Sequence, residues 1–276
     1  MRVSFVTVGG RQTRILCGGE GPALLLLHGL GTTAERWYRV IDRLAEKFFV
    51  VAPDLLNSGF SADVSFAGGT PQDIHCQHIF SLAECLGLTN AAVVGSSYGG
   101  LLAALLAIRH PLFVRQLVIV GSGSAFHPPD EQVATLMAAR DNAMKAANAG
   151  TLDAMRQRMR HIVFSDKGVS EESLPILLTS NAQPGRQQAL IDLYEGLISA
   201  SEIQHSQAYH RLEQIRTSTL VITGRNDIRA AWQRAEEAAK RIPDCQLKIY
   251  DECGHAPMIE HTDRFCDDLF TFLTAR

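Results

Sequence analysis

The sequence predicts an α/β protein: a mostly parallel, eight-stranded sheet flanked by helices and interrupted once by an all-helical insertion. Three observations lead there. Short continuous apolar runs such as Ala23–Leu27 recur along the chain, the pattern of strands buried on both faces. Helical patterns alternate with these runs, which favours parallel strands joined by crossovers. One long stretch, residues 123–213, contains helical patterns and no strand.

The elements follow in order. Strands are expected at Arg2–Val8, Arg14–Cys17, Ala23–Leu27, Phe48–Ala52, Ala91–Val94, Leu117–Val120, Leu220–Thr223 and Leu247–Tyr250. Thr33–Leu44 carries Trp37, Val40, Ile41 and Leu44 at helical spacing, with Thr32 or Thr33 as its N-cap. Pro71–Leu86 has Pro at its start and Gly87 beyond its end, the usual asymmetry of a helix. Gly99–Arg109 is a helix stopped by Pro111, and Ala230–Arg241 and Thr262–Thr274 close the chain. Within the insertion, helices are expected at Gln132–Ala149, Thr151–Val163, Glu171–Leu178 and Arg186–Ser199. The last has Leu190, Leu193, Tyr194 and Leu197 on one face. The domain reading is therefore a core in two parts, residues 1–122 and 214–276, with a helical cap at 123–213.

Composition narrows the function classes. The 276 residues are 46% hydrophobic and 20% charged, which describes a globular chain with a sizeable core. A net charge of −3 offers no basic field for nucleic acid. The six cysteines, Cys17, Cys76, Cys85, Cys245, Cys253 and Cys266, form no Cys-x-x-Cys pair. Their scatter fits reduced thiols in a cytoplasmic protein better than three disulfides. The opening MRVSFVTVGG lacks a signal-peptide pattern, and no apolar run is long enough to cross a bilayer. The expected partner is a small-molecule substrate, with no membrane insertion, no cofactor and no metal; homo-oligomerisation is left open. His75 and His78, three apart on a helix, have no third ligand in view and read as a surface pair.

Val93–Gly100 reads Val-Val-Gly-Ser-Ser-Tyr-Gly-Gly, a Gly-x-Ser-x-Gly motif centred on Ser97 between a strand and a helix. That context is what the motif requires. The serine must sit on a sharp turn that lifts its hydroxyl out of the sheet, and Gly95 and Gly99 leave room for it. The turn also aims the Tyr98 N–H and the following helix N-terminus at the same point, where negative charge can be held. Ser96 occupies the first variable position and reads as support.

The strand at Ala23–Leu27 runs into His28-Gly29-Leu30-Gly31. Such a loop supplies a second oxyanion donor, here the Leu30 N–H, with Gly29 and Gly31 allowing close approach and His28 holding the loop. No Lys-Ser/Thr pair follows, which excludes a phosphate-binding P-loop. Downstream of Ser97, Gly224-Arg225-Asn226-Asp227 ends one strand and Cys253-Gly254-His255 follows the next. Asp227 and His255 thus fall on successive loops at the edge where open α/β sheets bind ligands. His255 reads as the base for Ser97, and Asp227 as the acid that fixes its tautomer. Asp251 and Glu252 read as solvated.

Over nearly its full length the chain resembles enzymes of the α/β-hydrolase fold with a helical cap. The resemblance rests on His28–Gly31, Trp37, Val51–Leu55 with Asn57–Ser61, the Ser97 elbow, Gly224–Asp227 and Gly254-His255. The segments Val8–Arg14, Asp54…Gly59-Phe60-Ser61 and Val163–Asp166 with Glu171–Leu174 are similar to the meta-cleavage-product hydrolases. Those enzymes cleave a carbon–carbon bond in dienoic acids. In that family a cap arginine and a tryptophan after the histidine serve the dienoate; here these positions fall near Leu178 and at Ala256. Arg160 and Arg186 are then the candidate substitutes. Because of these two departures, the leading expectation is hydrolysis of a carboxylic ester of small or medium apolar substrates. C–C hydrolysis of a dienoate is the alternative, and a non-catalytic ligand receptor on the same fold is the third.

Overall fold

A computed structural model describes residues 1–275. Its strands are β1 (Arg2–Val8), β2 (Arg11–Gly18), β3 (Ala23–Leu27), β4 (Phe49–Pro53), β5 (Ala91–Ser96), β6 (Val114–Val120), β7 (Thr219–Gly224) and β8 (Cys245–Tyr250). They form one sheet in the order β1-β2-β4-β3-β5-β6-β7-β8. β2 runs antiparallel to both of its neighbours, and every pairing from β4 to β8 is parallel. The β1–β2 hairpin turns at Gly9-Gly10, both at positive φ, where glycine is the residue that fits.

Alternation explains why β3 reads as unbroken leucine. Leu25 and Leu27 enter a core on one face of the sheet, while Leu24 and Leu26 enter the core on the other. Val93 and the pair Ala92 and Val94 divide in the same way on β5. Each fully buried leucine is worth about 2 kcal/mol of transfer free energy. The His28–Gly31 loop and the Ser97 turn therefore leave two strands that are buried on both faces.

Helices α1 (Tyr38–Ala45) and α11 (Thr262–Thr274) line one face, and α2 (Pro71–Cys85) and α3 (Tyr98–Arg109) line the other. The helix expected at Thr33–Leu44 is split: a 3-10 turn, Ala34–Trp37, precedes α1. Thr33 does not cap a backbone N–H there; its hydroxyl donates to Glu35 Oε2 at 2.6 Å. Thr70 does cap α2, accepting from the Asp73 N–H, and Gly87 follows that helix at positive φ.

Between β6 and β7 the chain is helical throughout: α4 (Gly123–Phe126), α5 (Pro129–Ala149), α6 (Leu152–Arg160), α7 (Leu174–Asn181) and α8 (Arg186–Ser199), with short 3-10 turns between them. Met155, Met159, Ile162, Leu174 and Leu177 give this segment a small core of its own. α9 (Trp232–Arg241) and α10 (Pro257–Glu260) complete the fold. The six cysteines are free. Among the described residues, no helix is long and apolar enough to cross a membrane.

His75 and His78 are not a surface pair. The face of α2 that carries them packs inward. His75 Nδ1 lies 2.8 Å from the Tyr98 hydroxyl, and His78 Nε2 lies 2.7 Å from the Thr13 hydroxyl. Burial holds both imidazoles neutral, His75 down to about 3 and His78 to about 4. No cluster of metal-ligating side chains occurs among the described residues.

Candidate active site

Ser97 sits between β5 and α3 with φ 55° and ψ −120°, a conformation that costs a non-glycine residue energy. Its surroundings hold it there. The Ser97 N–H donates to Val120 O at 2.9 Å, and the Ser122 hydroxyl donates to Ser97 O at 2.6 Å. A Cβ on Gly95 would lie 2.1 Å from Gly99 O, and one on Gly99 would lie 2.2 Å from Leu27 O. Both glycines of the motif are therefore steric requirements. Ser96 beside it is buried.

The His28–Gly31 loop approaches so closely that a Cβ on Gly29 would touch the Ser97 side chain at 3.0 Å. Neither the Leu30 nor the Tyr98 N–H donates to an acceptor among the described residues, so both are free to receive a charge. His28 is fully buried and engaged at both ring nitrogens. Nε2 accepts from the Leu55 N–H at 2.9 Å, and Nδ1 lies 2.7 Å from Gly29 O. Nδ1 therefore carries the proton. A network unseen in the sequence lies below the loop. The Arg14 guanidinium bridges Glu35 and Asp54, and the two Asp54 oxygens accept from the Ala34 and Phe60 N–H groups. Gly59 is small because Asp54 leaves no room for a Cβ.

Asp227 and His255 follow β7 and β8. Their loops can touch because Gly224 lacks a Cβ, which would lie 2.2 Å from Gly254 O. His255 Nδ1 is 2.8 Å from Asp227 Oδ2. The other oxygen, Oδ1, accepts from the Arg229 and Ala230 N–H groups at 2.8 and 3.0 Å. A carboxylate held by three donors fixes its orientation and that of the ring. The His255 N–H donates in turn to Ile162 O in the helical segment at 2.8 Å. Ser97 and His255 line one cavity, although no hydrogen bond joins them in this resting geometry; such contacts often tighten only around substrate. Asp251 and Glu252 are exposed, and Asp251 pairs with Arg225.

The cavity lies between the sheet's C-terminal edge and the helical segment. Gly29, Leu30, Ser97 and His255 form its floor, and Leu136, Met159 and Tyr194 reach in from α5, α6 and α8. Three arginines line it: Arg36, Arg158 and Arg229. None of them forms an ion pair among the described residues. Arg36 is pushed down to about 10 by burial, opposed by Glu260 and Asp227, and it donates to His255 O at 2.9 Å. Arg158 is 6% exposed, and its Nη1 is buried with no hydrogen-bond partner among the described residues. Its Nη2 reaches only a long contact with Leu30 O, 3.5 Å.

This corrects the expectation of a cation at Arg160 or Arg186. Arg160 is exposed and pairs with Asp166, and Arg186 is buried against Asp63 and Ser61 O. Arg158 was legible in one respect: it interrupts the apolar stripe of Met155, Met159 and Ile162. Leu178 is half-buried against the small helical core, and Ala256 is buried in the main core.

With this arrangement in view, comparison with known proteins defines the class. Residues 22–262 match the model of the alpha/beta hydrolase fold family, and the chain belongs to that family. It is similar to 2-hydroxymuconate semialdehyde hydrolase of a Pseudomonas species, 29% identical over 282 residues, covering 97% of this chain and 92% of the relative. It is also similar to 2-hydroxy-6-oxo-2,4-heptadienoate hydrolase of Pseudomonas putida, 26% identical with 98% and 96% covered. The solved structure of 2-hydroxy-6-oxo-6-phenylhexa-2,4-dienoate hydrolase from a Rhodococcus species superposes with a TM-score of 0.81 at 22% identity, covering 99% of this chain and all of the other (100%). A membrane phospholipase A superposes with a TM-score of 0.83 at 22% identity, covering 99% and 85%. Structural likeness at this level therefore speaks for the fold, and sequence similarity along the whole chain speaks for meta-cleavage-product hydrolases as relatives.

Proposed function

We propose that this chain is a serine hydrolase that cleaves a carbon–carbon bond in a 2-hydroxy-6-oxo-dienoate, with residues 123–213 as the cap over its substrate. The full-length relatives favour this reading over the ester reading. The observation that carries it is the Arg158 guanidinium, buried and unpaired in the cavity that contains Ser97. A buried charge without a partner is costly, and a substrate carboxylate supplies the partner. A simple apolar ester would leave it unanswered.

The chemistry then follows from the floor of the cavity. Ser97 Oγ attacks the keto carbon remote from the carboxylate, and its proton passes to His255 Nε2. Asp227 holds the Nδ1–H tautomer and supports the imidazolium. The Leu30 and Tyr98 N–H groups receive the oxyanion. The proton of the substrate's 2-hydroxyl first moves to C5, giving the 2,6-dioxo tautomer with a saturated C5; as the C6 carbonyl re-forms, the C5–C6 bond then breaks. Its electron pair moves into the conjugated 2-keto acid, and His255 returns the proton to carbon. Water, deprotonated by His255, then releases the second acid from Ser97. Arg158 fixes the end of the molecule into which the electrons flow.

Turnover of a ring-fission dienoate, followed by loss of its yellow absorbance, tests this against turnover of short p-nitrophenyl esters. The dienoate is expected to be the better substrate in kcat/KM by at least 100-fold. Ser97→Ala should abolish both activities, and Arg158→Met should raise KM for the dienoate while sparing the esters. Faster ester turnover with an indifferent Arg158→Met variant would return the assignment to a carboxylesterase.

A further inference from the structure

The backbone N–H groups of residues 254–256 are all taken. The His255 N–H donates to Ile162 O at 2.8 Å, and His255 O accepts from Arg36 Nη2 at 2.9 Å. The N–H groups on either side of His255 go to one half-buried carboxylate, that of Glu260. Its Oε1 accepts from the Ala256 N–H at 3.0 Å, and both of its oxygens face the Gly254 N–H, at 3.1 and 3.0 Å. Oε2 also accepts from the Phe164 N–H of the helical segment at 2.7 Å. Glu260 ends α10, and Ala256 is the N-cap of that short helix. The side chain thus folds back over its own helix, as a capping-box glutamate does. Room is left for it: a Cβ on Gly168 would lie 2.7 Å from Glu260 Cγ. Capping α10 needs the Ala256 bond alone. The bonds to Gly254 and Phe164 fasten the chain before His255 to the helical segment.

We propose that Glu260 is a positioning residue for His255, setting the path along which the imidazole reaches Ser97. This role rests on the serine-hydrolase reading above, in which His255 is the base, and not on which bond is cleaved. Asp227 holds the ring at Nδ1 but leaves the backbone beneath it to other groups. Ser97 and His255 line one cavity with no hydrogen bond between them, so their contact has to close around substrate. A catalytic group works only when held within about 0.5 Å of its productive position. Glu260 supplies that restraint on both sides of His255, and Arg36 completes it at the carbonyl between. Charge-assisted bonds suit the task, because they are roughly twice as strong as neutral ones. Only a carboxylate presents two acceptor oxygens to these three N–H groups; an amide has one, and its NH2 would set donor against donor.

The rate at which a fluorophosphonate labels Ser97 tests this role without a substrate, since labelling calls on the same base. Glu260→Met removes every acceptor and keeps the bulk beside Gly168. Labelling and kcat should both fall about 10- to 100-fold, for dienoate and ester alike, with KM within about 2-fold of the parent. Glu260→Gln keeps one oxygen and should regain part of the loss. The low-field proton resonance of the His255 Nδ1–H should shift or broaden in Glu260→Met. Circular dichroism melts establish which variants are folded; if only Glu260→Gln is, a loss of about 3-fold or more is expected of it. Parent-like labelling in folded Glu260→Met, or in Glu260→Gln where that alone folds, overturns the role. So does a raised KM at unchanged kcat, which would make Glu260 part of the cavity wall, or a lost kcat with the proton resonance undisturbed. A parent protein whose Ser97 takes no label defeats the serine-hydrolase reading and the role together. A labelled parent that hydrolyses only esters, and slows as expected in Glu260→Met, keeps the role and loses the carbon–carbon assignment.

Discussion

Under the proposed mechanism, replacing Asp227 by Asn separates the charge of the acid from its geometry. The side chain is held at both oxygens: Oδ1 accepts two backbone N–H groups, at 2.8 and 3.0 Å, and Oδ2 faces His255 Nδ1 at 2.8 Å. An amide has one oxygen and one NH2. Turning the NH2 toward the Arg229 and Ala230 N–H groups would set donors against donors and leave two buried N–H groups unsatisfied, at about 1–3 kcal/mol each. The amide oxygen therefore keeps that position, and the NH2 points at His255 Nδ1. The ring must then accept at Nδ1 and carry its proton on Nε2, where it cannot take one from Ser97. In serine proteases with the same constellation this exchange lowers kcat about 10,000-fold, equivalent to about 5.4 kcal/mol. A loss of similar size is expected here for dienoate and ester alike, with hexa-2,4-dienoate still bound and the melting temperature within a few degrees of the parent. Single-turnover kinetics read the loss at the chemical step. A folded Asp227→Asn protein retaining more than a tenth of the parent kcat would refute the tautomer argument and the role given to Asp227.

Two further outcomes follow from the packing. Gly95→Ala places a Cβ 2.1 Å from Gly99 O, against the Gly99–Gly100 backbone, with nothing flexible to yield; a loss of about 3 kcal/mol or more in urea unfolding is expected, and a loss below 1 kcal/mol would contradict the steric reading of the elbow. His75 and His78 stay neutral in the folded protein down to about 3 and 4, whereas in the unfolded chain they take up protons below about 6.5. Their contribution to stability is complete above that value and is lost as pH falls. The slope is at most about 1.4 kcal/mol per pH unit for each group. Denaturant titrations between pH 6.5 and 5 should show that decline, and His78→Gln should lessen it; a flat profile in the parent would mean that one or both histidines charge in place.

The frame of the molecule was legible because it depends on short-range pattern. Ala23–Leu27 and Thr262–Thr274 have the same ends in sequence and structure, since a doubly buried strand and an amphipathic helix announce themselves residue by residue. Ser97, Asp227 and His255 were legible because each lies at the end of a strand, where chain order alone brings them to one edge. The lining of the cavity was not, because it depends on which turn of one helix faces which turn of another. Arg158 and Tyr194 sit in stripes whose other members are packing residues, and their place on the cavity wall appears only when α6 and α8 are seen beside Leu30. His75 and His78 misled for the complementary reason: a polar pair on α2 looks solvated until Thr13 and Tyr98 are found across from it.

The histidine loop and the helical segment share a seam. The His255 N–H is hydrogen-bonded to Ile162 O, and Gly254 is pressed against Ile162, Val163 and Phe164 so closely that a Cβ would meet backbone at 2.7 Å. A roof over a cavity is usually treated as a removable part, to be exchanged when a new substrate is wanted. Here one corner of the proposed roof also holds the backbone of His255, the proposed base. Any graft that replaces residues 162–164 re-aims His255 before it changes what the cavity admits, so the exchangeable portion of this roof ends short of that corner.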